Sequence, residues 1–295
     1  MKFDPSELRK YGGLTLVART LVEGFLTGVH KSPYKGFSVE FAEHRQYYPG
    51  DEIRHIDWRA YGKTDRYYIK EYEEETNLKA YLLLDASGSM AFKGKSNPSK
   101  FQYSQYVAAS LAFLMLHQRD AVGLVLHDTK LRQMIPAKAS SKHLMRIVRV
   151  LEQSQPGGET ELAPIWHDLA GHRIRRRGLV VILSDCFDDV DRLLKALQHF
   201  RHKRHEVLLF HVLAPEEIDF PFHRLTQFRN LELASDKLLV DPYRLRSEYL
   251  KNFESFRTQL KEKAGEMKID YHLLRTDEPV DRALGIYLTR RQRQR

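Results

Sequence analysis

The chain is predicted to be an α/β protein whose core is a doubly wound, mostly parallel sheet, preceded by a helix and an extended segment. From residue 78 onward, short apolar stretches alternate with longer segments of helical periodicity. The short stretches are apolar at consecutive positions, which is typical of strands covered on both faces. Such strands, separated by helices, indicate a parallel sheet with crossover connections.

Each predicted strand is a run of aliphatic residues that ends in polar or turn-forming residues. In chain order, the predicted strands cover residues 81–84, 121–127, 178–184, 206–213, 231–234 and 268–274. Helical spacing of apolar residues fills most of the intervals between them. The predicted helices cover residues 100–117, 141–153, 162–175, 190–201, 242–263 and 280–290.

Residues 1–76 have a different pattern from the rest of the chain. A helix is predicted over residues 13–26, because its apolar residues fall on one face. An extended segment around 37–44, a polar loop through Tyr61 and alternating residues at 67–72 follow. We therefore expect two units: an N-terminal segment of residues 1–76, packed on a domain of residues 77–295.

Composition describes an ordinary globular protein with a net charge of +9. The basic clusters at 172–177, 201–204 and 290–295 fall at predicted helix ends, where cations complement the helix dipole, so nucleic-acid binding is not favoured. The single cysteine, Cys186, fits a reducing compartment. The apolar stretch 14–29 contains Arg19 and Glu23 and is too short to span a bilayer. We expect a cytoplasmic protein.

Three oxygen-bearing side chains, Asp85, Ser87 and Ser89, follow the first strand of the alternating pattern. One carboxylate and two hydroxyls on a tight turn suit a hard divalent cation that keeps some of its waters. The alternative is structural, because either serine could cap the helix that follows.

Two later residues, Thr160 and Asp185, extend this candidate site. Thr160 lies on a loop that begins with Gly157 and Gly158, and Asp185 directly follows the strand 178–184. The carboxyl ends of parallel strands meet at one edge of a sheet, so Asp85 and Asp185 are expected at that edge. Each residue also has a structural alternative as a helix cap.

These residues resemble the metal-ion-dependent adhesion site of a von Willebrand factor A domain, a Rossmann-like fold. That site combines an Asp-x-Ser-x-Ser turn, a distant threonine loop and a later aspartate. The resemblance implies Mg²⁺, or another divalent cation such as Mn²⁺ or Ca²⁺, held by Asp85, Ser87, Ser89, Thr160 and Asp185. The threonine loop departs from the pattern, since Glu159 separates the two glycines from Thr160.

A second motif upstream narrows the resemblance to the bacterial DUF58 family, whose proteins are often encoded beside MoxR-type AAA+ ATPases. After Glu40-Phe41, the residues that carry it are Arg45, Tyr47, Tyr48, Pro49, Gly50, Asp51, Arg54, Ile56, Asp57 and Trp58, followed by Lys70. The resemblance covers the chain from about residue 20 to the terminal helix. We expect the arginines and aspartates of this motif to form a charge network and Trp58 to be a buried anchor that fixes the N-terminal segment.

The favoured hypothesis is a non-enzymatic, metal-dependent protein-interaction module. A client protein's Asp or Glu would complete the metal's coordination, and the family resemblance implies a MoxR-type ATPase as partner. Two alternatives remain open: a Mg²⁺-dependent hydrolase acting on a phosphorylated substrate, and a basic nucleic-acid-binding accessory protein. Motifs for ATP binding, zinc hydrolysis and a serine nucleophile elbow are absent from the sequence.

Overall fold

A computed structural model of the protein describes residues 13–30, 45–46, 61–62, 67–69, 78–94, 98–232 and 237–292. Before residue 78, the described elements include α1 (Leu14–His30), β1 (Arg45–Gln46) and β2 (Tyr68–Ile69). The elements that follow are β3 (Lys79–Asp85), α2 (Lys100–His117), β4 (Ala121–His127), β5 (Leu131–Lys138), α3 (Ser141–Gln153), α4 (Leu162–Asp168), β6 (Leu179–Ser184), α5 (Val190–His202), β7 (Glu206–Leu213), α6 (Pro215–Asp219), β8 (Thr226–Arg229), β9 (Lys237–Val240), α7 (Pro242–Glu266), β10 (Asp270–Arg275) and α8 (Asp281–Gln292).

The central sheet has six strands in the order β10-β7-β6-β3-β4-β5. The first five are parallel to one another, and β5 is an antiparallel edge strand. This confirms the predicted α/β class with a mostly parallel sheet. Strands β3 and β6 are neighbours at its centre, with Leu84 paired to Leu183, so their carboxyl ends lie side by side.

Helices cover both faces of the sheet, and successive residues of β3 point to opposite faces. Leu82 and Leu84 pack into one core with α1, α2, α3 and α8. Leu83 packs into the other, with α4, α5 and α7. The apolar face of α1 is part of the first core, so the described helix of the N-terminal segment packs directly on the sheet domain.

Most predicted elements are present, but β5 and the short α6 were not predicted. In β5, the exposed polar residues Arg132 and Gln133 and the exposed Pro136 interrupt the apolar residues, so no continuous apolar signal marks it. An edge position tolerates this proline, because one side of the strand needs no donor.

The predicted strand 231–234 is wrong at residues 231 and 232, and residues 233–234 lie outside the described residues. The strands of this region are β8 and β9, which form an antiparallel hairpin. Leu231 and Glu232 lie in the loop that connects them.

Several predictions for the N-terminal segment lie outside the described residues. These are the extended segment 37–44, the charge network of Arg45, Asp51, Arg54 and Asp57, the anchor Trp58, and Lys70. The described residues 45–46 and 68–69 pair as two short antiparallel strands. The division at residues 76 and 77 stays a prediction. Among the described helices, none combines the length and apolar character needed to cross a membrane.

Candidate metal centre

Asp85 and Asp185 lie together at the carboxyl edge of the sheet. Asp85 is the last residue of β3, and Asp185 is the first residue after β6, the neighbouring strand. Both side chains are fully buried. Burial of two carboxylates at adjacent strand ends is costly unless hydrogen bonds or positive charge compensate them.

Asp85 is held by donors from its own turn and from β6. Its Oδ1 accepts a hydrogen bond from the Ser87 backbone amide at 2.9 Å, and its Oδ2 accepts one from the Ser184 hydroxyl at 2.6 Å. The Ala86 amide donates to the His127 carbonyl at 2.7 Å, which ties the turn to β4. The carboxylate is thus fixed in place entirely by neutral donors.

The hydroxyls of Ser87 and Ser89 connect the two carboxylates. The two hydroxyl oxygens are 3.1 Å apart, and each hydroxyl acts to lower the pKa of a neighbouring carboxyl, Ser87 that of Asp85 and Ser89 that of Asp185. Each hydroxyl has one proton, so the two serines cannot both donate to the aspartates and also to each other. When both hydroxyls donate to the aspartates, the lone pairs of the two serine oxygens face one another. A cation between the two oxygens would then interact favourably with both.

Ser87 and Ser89 do not act as helix caps. Ser87 precedes a single turn of 3₁₀ helix, Gly88–Ala91, and its side chain makes no capping hydrogen bond there. The following helix, α2, is capped instead by Ser99, which forms a reciprocal capping box with Gln102.

The threonine loop packs directly against the Asp85 turn. The Gly157 amide donates to the Ala86 carbonyl at 3.0 Å, and the Gly88 amide donates to the Gly158 carbonyl at 2.9 Å. Gly158 has a φ of +77°, a conformation that favours glycine. These bonds bring the loop that carries Thr160 to the site.

The hydrogen bonds of Thr160 itself go to Glu232, a residue that the sequence analysis did not single out. The Thr160 amide donates to one Glu232 carboxylate oxygen at 3.1 Å, and its hydroxyl donates to the other. The structure shows no hydrogen bond between Thr160 and the two aspartates. Thr160 does not cap α4 either, because the Leu162 and Ala163 amides donate to Asp188.

Asp185 has a cationic partner that Asp85 lacks. The Lys100 ammonium lies 2.7 Å from Asp185 Oδ2 and 2.6 Å from Glu217 Oε1, and the lysine side chain is 1% exposed. Lys100 occupies the first turn of α2, where a cation opposes the helix dipole. A lysine at this position is the sequence signal for the ion pair.

The two aspartates differ in charge state as a result. Burial, together with the nearby Asp185, raises the pKa of Asp85 to about 7. Burial also acts to raise the pKa of Asp185, but the charge and hydrogen bond of Lys100 outweigh it, so this pKa lies below its ordinary value. Burial raises the pKa of Glu217 despite the same lysine.

The cluster as a whole has an excess of acidic groups. The ammonium of Lys100 pairs with Asp185 and Glu217, whereas Asp85, beside Asp185, has no cationic partner among the described residues. Buried charges that lack partners are strongly destabilising, and a divalent cation would supply the missing positive charge. The donor set of carboxylates and hydroxyls fits a hard cation such as Mg²⁺.

Histidine and cysteine side chains are not among the predicted ligands of this metal site. Within the described residues, no three His, Cys, Asp or Glu side chains converge as a metal-binding group. Burial lowers the pKa of His211 to about 4, and its Nε2 donates to the Asp185 carbonyl at 2.9 Å. Burial raises the pKa of the Cys186 thiol, as expected for an unreactive cysteine.

The basic clusters at 172–177 and 290–295 include several ion-paired residues. Arg290 pairs with Glu206 and Asp270, and Arg291 lies 3.0 Å from Asp120. Arg173 pairs with Asp168 at 3.1 Å. These arginines are engaged within the protein itself.

Solved structures of other proteins have a fold similar to that of this chain. An aerotolerance-related membrane protein from Bacteroides fragilis has a TM-score of 0.51 and 16% identity, covering 72% of this chain and 97% of that one. BatB from Bacteroides thetaiotaomicron has a TM-score of 0.51 and 14% identity, covering 72% and 98%. At these identities, the likeness concerns the fold.

Comparison of sequences identifies the family. Residues 43–259 match the family model described as "Protein of unknown function DUF58". The uncharacterized proteins Rv1480 of Mycobacterium tuberculosis and Mb1516 of Mycobacterium bovis are each 28% identical over 223 residues, which is 74% of this chain and 68% of theirs. The family match covers most of the chain and includes the motif at residues 45–58, so this protein belongs to the DUF58 family.

Proposed function

We propose that this protein is a non-enzymatic protein-interaction module whose binding depends on a divalent cation. The observation that carries the proposal is the buried group of Asp85, Ser87, Ser89 and Asp185 at the carboxyl edge of the sheet. Its carboxylates exceed its positive charge, and its hydroxyl oxygens lie 3.1 Å apart between the two aspartates. A hard cation would satisfy both features.

The chain offers ligands for Mg²⁺, and Mn²⁺ or Ca²⁺ suits the same donors. Asp85, Ser87 and Ser89 would hold the ion directly, whereas Asp185 and Thr160 would act directly or through water. Asp185 has its Oδ2 engaged by Lys100, which favours the indirect role. The bound ion would supply the positive charge that attracts an Asp or Glu of a client protein.

The surface beside the cluster suits contact with a protein. Ser89 is partly exposed, and Phe187, two residues after Asp185, is 46% exposed. An exposed aromatic side chain next to a charged site provides apolar area for a partner. The resemblance to DUF58 proteins supports a MoxR-type AAA+ ATPase as associate, with a role in maturation or assembly of other proteins.

Affinity purification from cells that naturally make the protein tests this proposal. We expect client proteins to co-purify with the wild type, and to be lost with Asp85→Asn or in the presence of EDTA. Asparagine can still accept from the Ser87 amide through its oxygen and can donate from its NH2 group to the Ser184 hydroxyl oxygen, so the turn keeps its shape.

Asp120→Asn is the matched control, because Asp120 is equally buried but lies immediately before β4, at the opposite edge of the sheet. This variant should retain the clients. Undiminished capture by Asp85→Asn, or capture that EDTA leaves unchanged, would contradict the proposal.

A further inference from the structure

The loop between β8 and β9 lies directly on the candidate metal turn. A Cβ atom on Gly88, between Ser87 and Ser89, would sit 2.7 Å from the Leu231 carbonyl oxygen and 2.8 Å from the Gly158 carbonyl oxygen. Such distances exclude a side chain at position 88, so three backbone segments meet there. Leu231, in the described part of the hairpin loop, therefore lies where the threonine loop and the Asp85 turn meet.

Glu232, in this loop, presents its carboxylate to Thr160. One carboxylate oxygen accepts the Thr160 amide at 3.1 Å, and the other accepts its hydroxyl. The Glu232 amide donates to the Asn230 side chain at 2.9 Å, which stabilises the loop in this position. A carboxylate from a distant part of the chain is thus bound to one of the predicted metal-site residues.

The negative charge of Glu232 is relevant because the residue lies next to the candidate metal site. Thr160 supplies neutral donors, and the adjacent cluster already has more carboxylates than ammonium groups. A divalent cation at the Asp85 turn would attract the negative charge of Glu232.

We propose that Glu232 is an internal ligand that occupies the place of the partner's carboxylate. This inference rests on the proposed function, and it adds that the site is closed by the chain itself until a partner displaces Glu232. Because the carboxylate is tethered, its effective concentration is of millimolar order, and a partner must compete with it. The apparent affinity for a partner falls with the fraction of open sites.

We expect the hairpin that carries Glu232 to open at a low cost in free energy. Its strands have four residues each, and Leu238 and Leu239 are 64% and 62% exposed. A two-stranded hairpin has little stability of its own. Beneath it lies an apolar cavity of about 260 Å³, lined in part by Phe228 and Val240 of the hairpin. Phe228 packs against Phe220 and Phe222, but the strands are short and their leucines are exposed, so local opening costs little free energy.

Acetate is the probe, because it presents a carboxylate group without the rest of a partner protein. Metal-stripped wild type and Glu232→Gln are loaded with less than one equivalent of Mn²⁺, and free Mn²⁺ is followed by its electron paramagnetic resonance signal. Broadening of the acetate nuclear resonance then reports whether acetate reaches the bound ion. Glu159→Gln, an exposed glutamate of the threonine loop, is the matched control.

We expect Glu232→Gln to bind Mn²⁺ about tenfold more weakly, as is common when a ligand or its support is removed. Acetate should be broadened by bound Mn²⁺ in Glu232→Gln, and should restore part of the lost affinity. The wild type and Glu159→Gln should show neither effect.

Equal broadening in the wild type and Glu232→Gln would overturn the internal-ligand inference and leave the proposed function standing. No broadening in either protein, with Mn²⁺ bound in both, would overturn it as well. Failure of the wild type to bind Mn²⁺ at all is recognised separately by the free-ion signal. That result would contradict the proposed function and this inference together.

Discussion

The turn after β3 and the turn after β6 present the same group, a buried aspartate, in opposite electrostatic settings. Asp85 is fixed by a backbone amide and a hydroxyl, and its pKa is raised to about 7 by burial and by Asp185. Asp185 pairs with the buried Lys100 and has a lowered pKa. The chain therefore neutralises one carboxylate internally and leaves the other dependent on a proton or an added cation.

The largest expected effect concerns the turn after β6. Lys100→Met leaves Asp185 and Glu217 buried without their shared cation, and removal of one partner from a buried ion pair costs about 3–5 kcal/mol. We predict a loss of this size in the free energy of unfolding, measured by urea denaturation at neutral pH.

Lys263→Met provides the control, because Lys263 pairs with Asp191 at 2.9 Å and both side chains are well exposed. Exposed pairs contribute at most about 1 kcal/mol. A loss for Lys100→Met no larger than that of Lys263→Met would remove the distinction between the two turns.

A smaller effect concerns pH and the turn after β3. In the metal-free protein Asp85 has a raised pKa, so its contribution to stability is present at low pH and is lost as pH rises through about 7. Mg²⁺ needs the ionised carboxylate and displaces the proton. We predict that Mg²⁺ affinity, measured by calorimetry, rises about tenfold between pH 6 and pH 8.

Asp185 does not contribute to that change, because its pKa lies below the ordinary value and the group is already ionised throughout this range. An affinity that is constant between pH 6 and pH 8 would show that Asp85 does not exchange a proton for the ion. In that case, neither Asp85 nor Asp185 would exchange a proton for Mg²⁺ between pH 6 and pH 8.

The sequence predicted much of the fold because buried parallel strands are continuous apolar runs. Strands β4 and β7 and helices α2 and α3 have the predicted bounds. The amphipathic edge strand β5 was missed because half of its residues face solvent. The hairpin of β8 and β9 was not predicted, because each of its strands has only four residues.

The local part of the candidate site was also accessible from sequence, since Asp85, Ser87 and Ser89 lie on one turn. Its charge partners were not, because they are distant in the chain. Lys100 is 85 residues from Asp185 and 117 from Glu217, and Thr160 is 72 from Glu232. Such pairings depend on the order of strands and on loop packing, which local patterns do not specify.

Calorimetric titration of Mg²⁺ into the metal-stripped protein tests the role of Asp85 most directly. We predict that the wild type and Asp120→Asn bind one Mg²⁺ with the same affinity, and that Asp85→Asn shows no measurable binding. Binding of Mg²⁺ by Asp85→Asn with wild-type affinity would contradict the assignment of the metal site to the turn after β3.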